Sequence, residues 1–597
     1  MPAIEMVPTV APPTAVADVE RFAQLLERYR RGELNEQAFR IVRLNNGIYG
    51  QRQGGESMMV RVKAPFGSLS ADQLDCLGAV ASEFSRGFGH LTTRQCVQFH
   101  FVELGRTPAL LRVLAEAGLT TREACGDTVR NVTACPLAGA CPLEVLDVSP
   151  WAEASFVHFL RHAYAQRLPR KFKIGFSGCG ADCALALCQD VGVIAVSRPG
   201  PDGTLVRGFQ VLVAGGLSAN PRQAQPLEPL TPRELLLPTL EAVVRTFDHY
   251  GNRDNKLRAR QKWLVGAMGI DELRDRVLRE RDLLMASVTW VDGLPAVVRA
   301  RGDEPTRSRG EVRVPGVTQD TATHPERRAD HAGLSGFERW AAANVVLGAG
   351  DGTVSAYVWV PLGDVTAEQF RTLGALQRTL GAEVRLTNRQ DLVFRRLAPG
   401  RLGALHQGLT AVGLGQPGAG LARDVVSCPG ADTCNLAVTQ SRGLAAAIGR
   451  ALEEAGLAEA PGVRVNVSGC TNSCGQHHLA DIGCFGVERR AHDQPAPGYQ
   501  LLLGGSSRGM ATKVLRLPAR RTAQAVVQVV GRFVAEHGPN ERFGDWLTRV
   551  GGVQSIATEL QTLDHFPNPE EDSEFYVDLG EAAPYVVDVG PGECAGA

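Results

Sequence analysis

Residues 468–474 read Ser-Gly-Cys-Thr-Asn-Ser-Cys, and residues 177–183 read Ser-Gly-Cys-Gly-Ala-Asp-Cys. Each of these pairs has a second cysteine pair upstream. Cys428 and Cys434 are separated by five residues, Cys470 and Cys474 by three, and 35 residues lie between the pairs. Cys135, Cys141, Cys179 and Cys183 repeat the five and the three, with 37 residues between. Thiolates held four at a time bind iron, zinc and iron-sulfur clusters, so the pattern points to a metal centre written twice.

The repeat extends outward from the cysteines. LTTRQ at Leu91 to Gln95 returns as LTNRQ at Leu386 to Gln390. Arg130 stands five residues before Cys135 and Arg423 five before Cys428, and a proline follows each of these cysteines. Asp190-Val191-Gly192 and Asp481-Ile482-Gly483 each begin eleven residues after the first cysteine of the downstream pair. Glycine pairs at Gly215-Gly216 and Gly504-Gly505 close an apolar run in both halves, and the offset between halves drifts only from 295 to 289 residues. Self-similarity of this kind marks a tandem duplication of one structural unit.

Composition narrows the class. With 597 residues and 44% hydrophobic content the chain can bury several cores and is too apolar to be disordered. No apolar run reaches the 18 residues of a membrane span and no signal-peptide pattern opens the chain, so a cytoplasmic location is expected. A net charge of -1 gives no general attraction to nucleic acid or to an anionic membrane. Fourteen cysteines are too sparse for a disulfide scaffold and read as metal ligands, redox groups or buried thiols.

Residues 1–16 read as a loose arm, and Val16 to Arg40 has helical spacing. Ser57 to Pro65 alternates like a strand, Ser70 to Ser85 reads as an amphipathic helix, and His90 to Leu104 alternates again; the order recurs at Ser355 to Leu397. This predicts a split βαβ layer built once from each half. The expected organisation is an arm (1–16), a first half-domain (17–120), a first cysteine domain (121–299), a polar linker (300–335), a second half-domain (336–415), a second cysteine domain (416–560) and an acidic tail (561–597) carrying Cys594.

A cysteine pair at i, i+4 at the start of a helix would put both sulfurs on one face, with the five-residue gap supplying the other two. Zinc sites favour tighter Cys-x2-Cys knuckles, so a [4Fe-4S] cluster is the preferred reading, with structural zinc and plain buried thiols as alternatives. Gly469 and Gly475 let backbone approach a bulky cluster.

These residues resemble the sirohaem-dependent sulfite and nitrite reductase family, over roughly Val16 to Gly551. The resemblance implies an α+β fold in which two ferredoxin-like half-domains join two α/β sirohaem and iron-sulfur domains. It implies a [4Fe-4S] cluster on Cys428, Cys434, Cys470 and Cys474, with the Cys474 sulfur shared with the sirohaem iron. Arg94 of TTRQ, Arg130 of VRNV, and Lys171 and Lys173 of RKFK stand where the family places its anion-binding groups. Arg94 and Arg130 are also expected to meet sirohaem carboxylates, since a guanidinium offers a rigid fork to oxyanions and a lysine offers a proton. The alternative for all four is a basic strand surface.

The family's usual first half has lost its cluster ligands, whereas this chain keeps all four, so Cys135, Cys141, Cys179 and Cys183 hold either a second cluster or a vestigial site. Lys-x-Lys at 171 and 173 resembles sulfite reductases, whereas Lys-x-Asn is typical of nitrite reductases. Sulfite is the expected substrate and nitrite the alternative. No flavin-binding unit is left over, so electrons are expected from a separate ferredoxin or, as the alternative, a flavoprotein. A non-catalytic cluster carrier or redox sensor is the competing class. Asp190 and Asp481 read as structural turns or caps, and His100 as a structural histidine.

Overall fold

The computed structural model describes residues 13–200, 202–287, 334–590 and 592–593. The duplication is visible in four five-stranded sheets, two of each kind. In the first ferredoxin-like half the order is Ile48–Gly50, Ser57–Lys63, Cys96–Glu103, Phe88–Leu91 and then Asp364–Thr366, a strand from the other half. The second half answers with Val345–Leu347, Val354–Val358, Leu392–Leu397, Glu383–Leu386 and then Ser68–Leu69. Each half thus closes its partner's sheet edge, which removes an exposed row of unpaired backbone groups.

The helices between these strands explain the close join. Ala71–Phe84 is capped by Ser70, whose hydroxyl accepts from the Gln73 N–H in a capping box, and Ala367–Leu380 has the same box on Thr366 and Gln369. The two helices meet through Gly78 and Gly374. A Cβ on Gly78 would stand 2.9 Å from the Ala367 carbonyl oxygen, and one on Gly374 2.9 Å from that of Ala71. One apolar core runs through both halves, from Leu74 and Leu77 to Phe370 and Leu373.

Each cysteine domain combines a short parallel layer with an antiparallel meander. Thr133–Ala134, Ile174–Ser177 and Val191–Pro199 run parallel in the first domain, as do Val426–Ser427, Val465–Ser468 and Ile482–Ala491 in the second. The central strands are buried along their whole length, as parallel strands covered on both faces must be.

Even the left-handed backbone is duplicated. Non-glycine residues with positive φ recur at Phe66 and Leu362, Gln95 and Gln390, Phe101 and Arg396, Asp182 and Ser473, and Leu185 and Gln476. Such conformations cost free energy wherever they occur, so their pairwise recurrence marks turns that the architecture requires.

The two ends of the chain add detail to the expected organisation. A helix begins at Pro13, inside the stretch read as an arm. Residues 300–333 of the expected linker, and Cys594, lie outside the described residues. The acidic tail is docked as an extended strap over the loop after Cys434: the Gly590 N–H donates to the Asn435 carbonyl (3.0 Å), the Tyr585 hydroxyl to that of Val438 (3.0 Å), and Asp578 accepts from the Gln440 N–H (2.8 Å). Glu593 ends the strap on Arg43 and the Gly50 N–H. Buried Phe566, Tyr576 and Tyr585 hold it without any helical period. Among the described residues no helix is long and apolar enough to cross a membrane.

Candidate functional site

Both cysteine sets sit just beyond the carboxyl ends of adjacent parallel strands, where open α/β sheets place ligands. Cys428 follows Val426–Ser427 and Cys470 follows Val465–Ser468; Cys135 and Cys179 follow the matching strands of the first half. The Cys428 N–H donates to the Val467 carbonyl and the Cys135 N–H to that of Phe176 (2.9 Å). Cys470 and Cys474 lie in a pair of turns, not at a helix start as expected. Left-handed Ser473 and Gln476 coil the backbone around the two sulfurs.

Burial, with the neighbouring thiols, raises the pKa of Cys428, Cys434 and Cys470. Burial first, then Cys474, pushes Cys428 up to about 12. Thiols so placed stay protonated unless a metal takes the protons' place. The Gly469 N–H donates to the Cys428 sulfur (3.2 Å), and a Cβ on Gly469 would stand 2.9 Å from the Gly430 Cα. Among the described residues the one set of three or more metal-type donors within 4.8 Å of one another is His158, His162 and Glu241. Sulfurs around a single zinc stand about 3.8 Å apart, so neither cysteine set has zinc spacing. The donor set fits a larger, thiolate-held cluster. Cys474 is the exposed member.

The loop carrying Cys474 is gripped by the first half. The Thr93 hydroxyl donates to the Cys474 carbonyl (2.9 Å), the Gln476 side-chain amide donates to the Thr93 carbonyl (3.3 Å), and His478 meets the Ser218 carbonyl (3.2 Å). Next in the same turn, Arg94 donates to the Gln189 side-chain oxygen and to the Asn131 carbonyl, both at 2.6 Å. Gln95 is wholly buried and ties Ala134, the residue before Cys135, to Leu386 of the other half; Gln390 ties Ser427 to Leu91 in the same way. The repeated glutamine thus fastens each cysteine set to the opposite half-domain.

Arg130 is buried and donates to the carbonyls of Ala124 and Gly126. Lys171 and Lys173 flank buried Phe172 and share a face. Burial, followed by Arg94, Arg260 and Lys171, drives the Lys173 ammonium well below its ordinary pKa. Burial brings Arg94 down to about 10 and Lys262 to about 8. Arg94, Lys171, Lys173, Arg260 and Lys262 therefore feel one another's charge, and Arg130 bears on Arg94. Such a cluster suits anionic ligands, among them a carboxylate-bearing tetrapyrrole.

Two contributors escaped the sequence reading. Arg260 forks onto Asp190 (2.9 and 2.8 Å), whose carboxylate also accepts from the Lys173 N–H (2.9 Å). Lys262 reaches the Leu217 carbonyl (2.9 Å). Both lie in a charged run, Arg258 to Lys262, that has no repeated counterpart to flag it. Asp190 and Asp481 are structural, as read. His100 is buried, but among the described residues neither ring nitrogen has a hydrogen-bond partner.

Comparison with known proteins agrees with this geometry. The family model for the nitrite and sulphite reductase 4Fe-4S domain matches residues 125–283 and 419–561, and that for the nitrite/sulfite reductase ferredoxin-like half domain matches 49–117 and 347–412. The chain belongs to the sirohaem and iron-sulfur nitrite and sulfite reductase family. It is therefore an oxidoreductase that uses sirohaem and a [4Fe-4S] cluster. Within that class it is 29% identical over 529 residues to the assimilatory ferredoxin-dependent nitrite reductase of Haloferax mediterranei, covering 85% of this chain and 84% of that protein. It is 30% identical over 532 residues to a ferredoxin sulfite reductase of Mycobacterium tuberculosis, covering 84% and 87%. The solved structure of the Mycobacterium tuberculosis NirA protein superposes with a TM-score of 0.70 at 27% identity, covering 90% of this chain and 96% of that one.

Proposed function

We propose that the chain reduces sulfite to sulfide with electrons delivered by ferredoxin. Cys428, Cys434, Cys470 and Cys474 would hold the [4Fe-4S] cluster, with Cys474 as the member shared with the sirohaem, and Arg94, Arg130, Lys171 and Lys173 would form the substrate cage. The observation that carries this reading is the contact of Thr93 with the Cys474 carbonyl, because it sets the basic turn of the first half against the exposed thiol of the second. When bound, the sirohaem supplies an iron that can hold the anion and pass it electrons. The chain's own work is charge and protons. Arg94 and Arg130, fixed by carbonyl and amide oxygens, keep their guanidinium forks aimed without movement, which is how preorganised charge favours a reacting oxyanion.

Six electrons remove three oxygens as water, so a proton source must stand beside the anion. Lys173 is suited to it. Burial and its cationic neighbours make its ammonium a stronger acid than an ordinary lysine, able to release a proton and to be recharged. Two adjacent lysines also favour sulfite, which carries up to two negative charges, over the singly charged nitrite. The relatives named for ferredoxin support that donor over a flavoprotein. Steady-state rates with reduced ferredoxin and limiting sulfite or nitrite decide the substrate. A larger kcat/KM for sulfite is expected, and a nitrite value far above it overturns the choice while leaving the cage intact.

A further inference from the structure

We propose that Cys135, Cys141, Cys179 and Cys183 hold a second [4Fe-4S] cluster that no haem touches. The four line one pocket, with Glu144 in its wall and half-exposed Leu143 at its rim. They occupy the same strand ends as the other set, and left-handed Asp182 and Leu185 shape their turns as Ser473 and Gln476 do in the second half. Among the described residues no three of their sulfurs lie within 4.8 Å of one another, looser than the sulfurs around one zinc, and four thiols facing one pocket are the donor set of a [4Fe-4S] cluster.

Charge supports the same occupant. Three arginines of the second half converge on the loop between Cys135 and Cys141: Arg385 donates to the Ala138 carbonyl (3.2 Å) and the Ser149 hydroxyl (2.9 Å), Arg395 to the Ala138 carbonyl, and Arg396 to the Gly139 carbonyl (2.9 Å). Arg385 and Arg395 are buried. Glu383 meets Arg395 and Arg396 at 3.3 and 3.4 Å but is itself 43% exposed, and Asp147 bears on Arg385 and Arg395, so two carboxylates stand against three guanidiniums. A buried cation needs a counter-charge. A cluster ligated by four thiolates is anionic and supplies one. Around the other set Arg442 pairs with Asp364, which the His90 ring also meets, and Arg52 donates to the Ala437 carbonyl (2.6 Å).

The haem-free character follows from the last cysteine. Cys474 is exposed toward the basic cage, whereas Cys183 turns inward and its thiol hydrogen-bonds to Cys135. Asn388 holds the Cys183 carbonyl (2.8 Å), as Thr93 holds that of Cys474. The last cysteine is exposed in one half and part-buried in the other.

Metal and acid-labile sulfide analysis of the anaerobically purified full-length protein, normalised to extracted sirohaem, tests this. About nine irons and eight sulfides per sirohaem are expected, against about five and four with a single cluster. The double variant Cys141→Ser, Cys179→Ser should lose about four irons and keep the sirohaem absorption. After dithionite reduction the wild-type should show a cluster EPR signal uncoupled from the haem, absent from the variant. A wild-type count near five irons, or one zinc per chain in this site, overturns the proposal whether or not the variant folds. Failure of the reductase reading would look different, because sirohaem itself would then be missing.

Discussion

The proposed substrate cage and its mirror image in the second half are built from matching positions, yet they differ in what their cations touch. In the cage, Arg94 rests on the Asn131 carbonyl and the Gln189 amide, and Arg130 on the carbonyls of Ala124 and Gly126. In the mirror, Arg389 donates to the Asp424 carboxylate (2.7 Å), Arg423 pairs with Glu453, and Arg464 donates to Asp481 (2.9 Å). Carbonyls orient a guanidinium without cancelling its charge, whereas carboxylates do both. Arg94 thus rests on neutral oxygens where its counterpart Arg389 forms a closed ion pair. Asn131 and Asp424, which follow Arg130 and Arg423 in the two copies, mark the divergence. Asp190 shows it again: Arg260 takes its carboxylate, so Lys173 can face the cage, while in the mirror Arg464 must serve Asp481 itself.

The sharpest way to break this contrast is to remove one arginine from each side. Arg94→Gln should lower kcat/KM by about 10²- to 10³-fold, the usual loss for a preorganised donor to a reacting oxyanion, with little change in unfolding midpoint. Arg389→Gln should do the reverse. Asp424 is buried and would be left without its partner, at a cost of about 3–5 kcal/mol seen in chemical denaturation, while turnover per sirohaem stays at the wild-type level. Equal losses of activity on both sides would mean that the two cages are functionally alike.

Arg260→Ala probes how the cage keeps Lys173 acidic. Removing this cation frees the Asp190 carboxylate beside the lysine, and both changes favour the charged ammonium. The Lys173 pKa should rise, and the ammonium would turn toward Asp190. A fall in kcat/KM of about 10- to 100-fold is expected from the displaced proton donor. The alkaline limb of the pH profile, where activity is lost as Lys173 deprotonates, should move to higher pH. An unmoved limb would assign it to another group.

The duplication, the cysteine sets, the βαβ layers and the basic quartet were legible because they are local patterns or repeats. The helix expected over Ser70 to Ser85 forms at Ala71–Phe84, with Ser70 as its cap. What escaped depends on contacts between distant segments. No spacing announces that Ser68–Leu69 and Asp364–Thr366 cross between halves, or that Gln95 and Gln390 fasten each cysteine set to the opposite sheet. The docking of the acidic tail escaped because an extended strap has no period, and its anchors lie on the Cys434 loop more than a hundred residues earlier. Arg260 was missed for a related reason: its role comes from Asp190, 70 residues away, and only one half uses it.

The smallest expected effect concerns substrate choice and separates Lys173 from its counterpart. Sulfite carries up to two negative charges and three oxygens, nitrite one charge and two oxygens. Deleting one cation from the cage therefore costs sulfite more attraction than nitrite. At the screened interaction strength of a partly wet site the difference is about 1.4 kcal/mol, or roughly tenfold in relative kcat/KM. Lys173→Asn should shift the nitrite-to-sulfite ratio toward nitrite by that factor, with Arg94, Arg130 and Lys171 still holding either anion. Arg464→Asn should leave the ratio where it is, because the charge it removes is already committed to Asp481. A ratio that moves with Arg464, or one that ignores Lys173, would show that selectivity is set outside the cage.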